Sequence, residues 1–254
     1  MNCKRLEGKI AIVTASTEGI GYSIAKRLAQ EGAKVMISSR KDSNVKKAVN
    51  ELLGENLSVA GVTCHVGKAE DRKKLFSETL SKFGGLDILV SNAAVNPVVG
   101  SVLDCPEEAW DKIFDINVKC TYLLMRESLP LLQKSKSPSI TIISSIAGYQ
   151  PFDILGAYSV SKTALLGLCK AAAENLSVYG IRVNGIAPGI IKTKFSETLY
   201  SSEATYEATI DKVPLRRLGM PDEIGSIAAF LASEDASYIT GETIIAAGGM
   251  ASRL

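Results

Sequence analysis

Lys9-Ile10-Ala11-Ile12-Val13, followed at once by Thr14-Ala15-Ser16-Thr17-Glu18-Gly19-Ile20-Gly21, is the stretch whose reading decides the fold. The first five residues read as a buried strand. From Tyr22 to Gln30 the apolar residues Ile24, Ala25 and Leu28 fall at helical spacing, and Gly32 closes the run. A strand, a glycine-bearing turn and a helix in that order build a dinucleotide site. Backbone N–H groups and the helix N-terminus face a pyrophosphate, and glycines let the backbone come close. Ser16, Gly19, Ile20 and Gly21 are therefore candidate cofactor-binding residues.

Outward from this unit, strand-like and helix-like segments alternate. Strands are expected at 9–14, 34–39, 57–64, 86–91, 139–144, 182–187 and 243–247. Helices are expected near 20–31, 43–53, 69–83, 107–133, 157–179 and 221–232. Strands separated by helical patterns predict a parallel sheet covered on both faces, and right-handed crossovers make it doubly wound. The expectation is an α/β fold with about seven parallel strands in a single domain, residues 1–254. Tight packing relaxes only at 190–220, beyond the C-terminal edge of the sheet, where ligands bind. Phe195, Leu199, Tyr200 and Tyr206 there either cover a greasy substrate or pack on the helix beneath.

The chemistry-bearing stretch is Tyr158-Ser159-Val160-Ser161-Lys162, with Ser145 thirteen residues upstream. A phenol and an ammonium at i and i+4 share one helix face. A cation beside a tyrosine favours the phenolate, so Lys162 is expected to lower the Tyr158 pKa and ease proton exchange with a substrate oxygen. Ser145, at a strand end, is placed to hydrogen-bond the same oxygen. Ser144 competes for that role, but alternation along the strand points it to the opposite face. Alone, a Tyr-x-x-x-Lys spacing also describes a core tyrosine beside a solvated lysine.

The second strand ends Ser38-Ser39-Arg40-Lys41. A carboxylate here would accept hydrogen bonds from both ribose hydroxyls and select NAD. Ser39 stands in its place, and the guanidinium of Arg40, with Lys41 beside it, suits a 2′-phosphate, which predicts NADP(H).

Composition narrows the classes. With 29 basic and 27 acidic side chains the formal charge is +2, no basic footprint for nucleic acid. No apolar run approaches the ~20 residues of a membrane span, and the opening residues lack the apolar core of a secretory signal. Five scattered cysteines, Cys3, Cys64, Cys105, Cys120 and Cys169, read as reduced thiols rather than a disulfide framework. His65 is the one histidine, which excludes a histidine-centred triad, and no metal site is expected.

Together these elements resemble the short-chain dehydrogenase/reductase family over nearly the whole chain. Thr14 to Gly21 is similar to its glycine turn, with Ala15 replacing the first glycine and Glu18 standing where NADP-preferring members carry a basic residue. Asn92-Ala93-Ala94 resembles its Asn-Ala-Gly element, Asn117 its helix asparagine, and Pro188-Gly189 its motif after the sixth strand. Ser145, Tyr158 and Lys162 match its catalytic serine, tyrosine and lysine.

The resemblance implies a Rossmann fold and reduction of aldehyde, diketone, retinoid or steroid carbonyls by NADPH, with Tyr158 as proton donor. Lys162 would hold nicotinamide-ribose hydroxyls, Asn117 a water on the proton path, and Ile191 and Thr193 the carboxamide. His65 and Val66 would lie at the adenine, and Asn92 at the cofactor. A homotetramer and a substrate lid near 190–220 follow from the same resemblance. Other readings are a 3-oxoacyl thioester reductase, a non-catalytic NADP(H)-binding sensor or scaffold, and an obligate interaction protein. Ser252-Arg253-Leu254 resembles a Ser-Lys-Leu address for the peroxisomal import receptor.

Overall fold

The structure, a computed structural model, describes residues 4–252. Seven strands form one parallel sheet in the order β3-β2-β1-β4-β5-β6-β7. They are β1 Ile10–Val13, β2 Lys34–Ser39, β3 Val59–Thr63, β4 Ile88–Ser91, β5 Ser139–Ile143, β6 Arg182–Pro188 and β7 Thr243–Ala246. Each begins or ends within about two residues of its expected limits. Alternation assigns the faces: Ala11 and Val13 of β1 join one core cluster, while Ile12 joins the other.

The first face is covered by α1 Gly19–Gln30, α2 Asp42–Gly54 and α8 Pro221–Ala232. Ile24, Leu28, Ala48, Leu52, Ile224 and Ala228 are buried there. The opposite face is covered by α3 Ala69–Phe83, α5 Cys120–Leu132 and α6 Gly156–Leu176, which bury Leu75, Phe76, Leu124 and Leu165. Cys64, Cys120 and Cys169 lie free and buried, and burial pushes their thiol pKa values up. Cys105 is free and half-buried; Cys3 lies outside the described residues.

One expectation is corrected. The helix expected over 107–133 is α4 Glu107–Phe114, a π-turn Asp115–Lys119 and α5 in one line, because the chain takes one wide turn around Asn117. The helix-capable segment beyond β6 forms a 3-10 helix, Lys194–Leu199, and α7 Glu203–Ile210, which Ser202 caps by accepting from Thr205 N.

Sheet order reverses between β1 and β4, since β2 and β3 lie on one side and β5 to β7 on the other. The two strand ends are tied by Thr14. Its buried hydroxyl accepts from Asn92 N at 3.0 Å and Ala93 N at 3.2 Å, and the Asn92 amide returns to Thr14 O and Ala15 O at 3.1 and 3.0 Å. Ala15 takes φ +50°, the left-handed conformation that glycine adopts without steric cost. The backbone course of a glycine turn is thus kept with an alanine in it. Ala15→Gly is expected to stabilise the fold by about 1 kcal/mol, raising the melting temperature by roughly 2–4 °C. A scan in which the variant melts below wild type would contradict that strain.

Candidate active site

A cavity of about 1010 Å³ opens along the C-terminal ends of the strands. One end is the glycine turn, with Ala15, Glu18, Gly19, Ile20, Gly21 and Asn92 in its wall. The other end holds Ser145, Tyr158 and Lys162, and between them run Ile191, Thr193 and Lys194. A Cβ on Gly21 would lie 2.3 Å from Ala15 O and 2.5 Å from Asn92 Nδ2, so only glycine admits this turn against the β4 end. The first turn of α1 carries no acidic side chain, and its N-cap residue, Glu18, makes no capping hydrogen bond. Its N–H groups are therefore left to a ligand, a donor set suited to a pyrophosphate. Cradle, donors and cavity volume fit the phosphate and nicotinamide parts of a dinucleotide.

At the other end, Ser145 follows β5 and Tyr158 and Lys162 lie one turn apart on α6. The Ser145 hydroxyl accepts from Ala147 N at 3.1 Å and lies near enough to the Tyr158 hydroxyl to lower its pKa. Ser144 is turned inward and donates to Lys162 O at 2.8 Å, which separates the two serines as alternation predicts. Lys162 is 2 % exposed, and its ammonium donates to Ile143 O at 2.9 Å while lying 5.4 Å from the Tyr158 ring centre. The Phe195 ring lies 5.8 Å from that of Tyr158.

The expected lowering of the Tyr158 pKa is reversed in the chain by itself. Burial pushes the phenol up to about 12, against the smaller effect of the Ser145 hydrogen bond. Burial likewise pushes Lys162 down to about 7. No carboxylate opposes the desolvation of Lys162, which spends its hydrogen bond on a neutral carbonyl.

Other expected site residues fall elsewhere. The Ser16 hydroxyl is fully buried, donating to Val13 O at 2.6 Å and accepting from Ser38 N at 3.0 Å, so it pins β1 to β2 and has no free donor for phosphate. Asn117 is fully buried as well. Its side chain accepts from Val95 N at 2.8 Å and donates to Val95 O at 3.1 Å and Ser161 Oγ at 3.0 Å, leaving no amide donor for a water. Ser161 in turn donates to Tyr158 O at 2.7 Å, so Asn117 steadies the helix turn that carries the phenol. Only the π-turn reveals this; an isolated asparagine in the sequence does not.

Ser39, Arg40, Lys41, His65 and Val66 stand at the ends of β2 and β3, outside the wall of the cavity. Arg40 and Lys41 are exposed, His65 is half-buried and accepts from Gly67 N through Nδ1 at 3.1 Å, and Val66 is core. The nearby Asp42 carboxylate is held by Lys46 at 2.7 Å and Thr63 at 3.1 Å. Glu18 is paired with Lys194 at 3.0 Å, a partner the sequence reading did not foresee. Among the described residues no helix is long and apolar enough to cross a membrane, and no cluster of side chains is suited to a metal ion.

Residues 14–251 match the family model described as enoyl-(acyl carrier protein) reductase. Dehydrogenase/reductase SDR family member 4 from Oryctolagus cuniculus is 56% identical over 98% of this chain and 96% of its own length. The chain belongs to the short-chain dehydrogenase/reductase family. The Homo sapiens protein of the same name is 53% identical over 98% of the chain and 90% of its own length. Tropinone reductase-like 3 from Erythroxylum coca is 51% identical over 99% and 96%. Among solved structures, a short-chain alcohol dehydrogenase assigned provisionally from Sinorhizobium meliloti 1021 superposes with a TM-score of 0.91 at 32% identity, over 97% of this chain and 98% of that one. A provisional gluconate dehydrogenase from Agrobacterium tumefaciens gives 0.94 at 26% over the full length of both. As a member of this family the protein is an oxidoreductase dependent on a nicotinamide dinucleotide.

The buried lysine has a measurable signature. Its folded pKa is depressed, so between about 7 and 10.5 the unfolded chain binds more protons and stability rises with pH. The penalty for burying the ammonium is fully present below pH 7 and is lost by about 10.5. Wild type minus Lys162→Met is therefore expected to gain about 2 kcal/mol in unfolding free energy from pH 7 to pH 9. Parallel urea-denaturation curves for the two proteins across that range would contradict the assignment.

Proposed function

We propose that this protein reduces small-molecule carbonyl compounds to alcohols with NADPH. One observation carries the reading: Ser145, Tyr158 and Lys162 meet in the same cavity as the glycine turn. The nicotinamide supplies hydride to the carbonyl carbon when bound. The rest of the reaction belongs to the chain. A phenol held above its ordinary pKa stays protonated at neutral pH, so Tyr158 carries the proton that the carbonyl oxygen takes as hydride arrives at carbon. Ser145 hydrogen-bonds that oxygen as charge develops on it. Lys162 holds ribose hydroxyls, and Ile191 and Thr193 hold the carboxamide. Asn117 acts as a positioning residue through Ser161 rather than through a water on its side chain.

Residues 190–220 are read as the substrate lid, with Phe195 over Tyr158 as its inner face. Phe152, Leu199 and Met250 supply an apolar wall for aldehydes, ketones, diketones or retinoids. The relative named for tropinone, a ketone, supports that class. For the cofactor, Ser39 with Arg40 and Lys41 favours NADP(H), since the one nearby acid, Asp42, is already bound by Lys46 and Thr63. A homotetramer is part of the same proposal, supported by Tyr122 and Val160 exposed on α5 and α6. So is a peroxisomal address in Ser252-Arg253-Leu254, of which Arg253 and Leu254 lie outside the described residues.

Tyr158→Phe keeps the ring and removes the acid. Carbonyl reduction is expected to fall by about 10²–10⁴-fold with NADPH affinity retained; a rate within about tenfold of wild type would remove Tyr158 from the reaction. Arg40→Asp is expected to weaken NADPH far more than NADH, by repelling the 2′-phosphate. Equal losses for the two cofactors in a binding titration would deny Arg40 that contact.

A further inference from the structure

Glu18 is an anomaly in the proposed cofactor groove, a carboxylate beside the place where a pyrophosphate would lie. Its surroundings give it a purpose. Glu18 is the N-cap residue of α1 with extended backbone, yet its side chain does not cap the helix. It turns to Lys194, whose Nζ donates to Oε2 at 3.0 Å from the far wall of the groove. Lys194 opens the 3-10 helix after β6, and Thr193 before it packs on the glycine turn: a Cβ at Gly19 would lie 3.3 Å from Thr193 Cγ2. Both charged side chains line the cavity. The ammonium therefore stands over the turn whose first-turn N–H groups have no acid among them.

We propose that Lys194 is a second, lid-borne partner for the cofactor pyrophosphate, and that Glu18 holds this lysine over the groove until the dinucleotide arrives. The inference rests on the dinucleotide reading of the groove. An ammonium between a single carboxylate and a doubly charged pyrophosphate is drawn to the latter, since the attraction scales with the product of the charges. Glu18 then costs affinity in the bound state by repelling the phosphates, and Lys194 contributes to it. The two residues of one ion pair thus act on cofactor binding with opposite sign. The pyrophosphate is common to both nicotinamide cofactors, so NADPH and NADH respond alike.

A double-mutant cycle on cofactor binding, read as dissociation constants for NADPH and NADH by fluorescence titration at low ionic strength, tests this without turnover. Both side chains are exposed, and thermal melts run on each variant check that it stays folded. Glu18→Gln is expected to tighten both cofactors, and Lys194→Met to weaken both, each by about three- to fivefold, the upper range for a solvent-exposed ionic contact. The deciding arm is Lys194→Met in the Glu18→Gln background, where a loss of about threefold or more is expected. No loss in that arm would mean that Lys194 only shields Glu18, and would overturn the proposal. Loss confined to NADPH would overturn it equally, by moving the contact to the 2′-phosphate. If wild type bound neither cofactor, the dinucleotide reading itself would fall, a result distinct from both.

Discussion

A lysine ammonium held in the interior with a neutral carbonyl for its partner is the constraint around which this site is arranged. Lys162 is drawn down on Ile143 O at the end of β5, and Ser144, the next residue, holds the Lys162 carbonyl. Two bonds thus tie one residue of α6 to two successive residues of one strand end. That tie sets where Tyr158 stands relative to Ser145, because the first lies one helical turn before Lys162 and the second one residue after Ser144. Burial pushes Lys162 down and Tyr158 up, so at neutral pH a protonated phenol stands beside an amine near its midpoint. Ribose hydroxyls brought to this end would accept hydrogen bonds from the ammonium and favour it.

The sheet explains why the cavity lies where it does. Reversal of strand order between β1 and β4 separates the loops that leave those two strands, and the crevice between them is where open α/β sheets bind ligands. Thr14 prevents that crevice from spreading, as its hydroxyl and carbonyl bind both the backbone and the side chain of Asn92. Asn117 holds the next stretch by a reciprocal pair of bonds to Val95. Two residues that touch no reacting atom in this account thereby brace the wall on which a cofactor would rest.

The fold was legible because each strand and helix carried its own periodicity, and because Tyr158 and Lys162 lie on one continuous helix where spacing fixes the face. Ser145 was distinguishable from Ser144 for the same reason, alternation along a strand. What local pattern does not hold is tertiary partnership. Ser16 sits in a phosphate-binding motif, yet its hydroxyl is taken by Val13 and Ser38, a bond between strands 22 residues apart. Asn117 needed the π-turn, a wide turn with no signature of its own in composition. Glu18 has its partner in Lys194, 176 residues away, which no local pattern reveals. Spacing shows the cation one turn from Tyr158, but the burial that sets its pKa is a tertiary property that spacing does not carry.

The central claim is that Ser145, Tyr158 and Lys162 serve hydride transfer between a nicotinamide dinucleotide and a carbonyl. The most direct measurement is isotopic: NADPH carrying deuterium on the transferable C4 face is mixed with an aromatic ketone, each face being labelled in turn, and the alcohol is analysed by mass spectrometry. The account predicts one deuterium at the carbinol carbon from one face alone, with none acquired there in deuterated water from unlabelled NADPH. Alcohol formed without label from either face, or no alcohol from any carbonyl tried while NADPH binds, would contradict it.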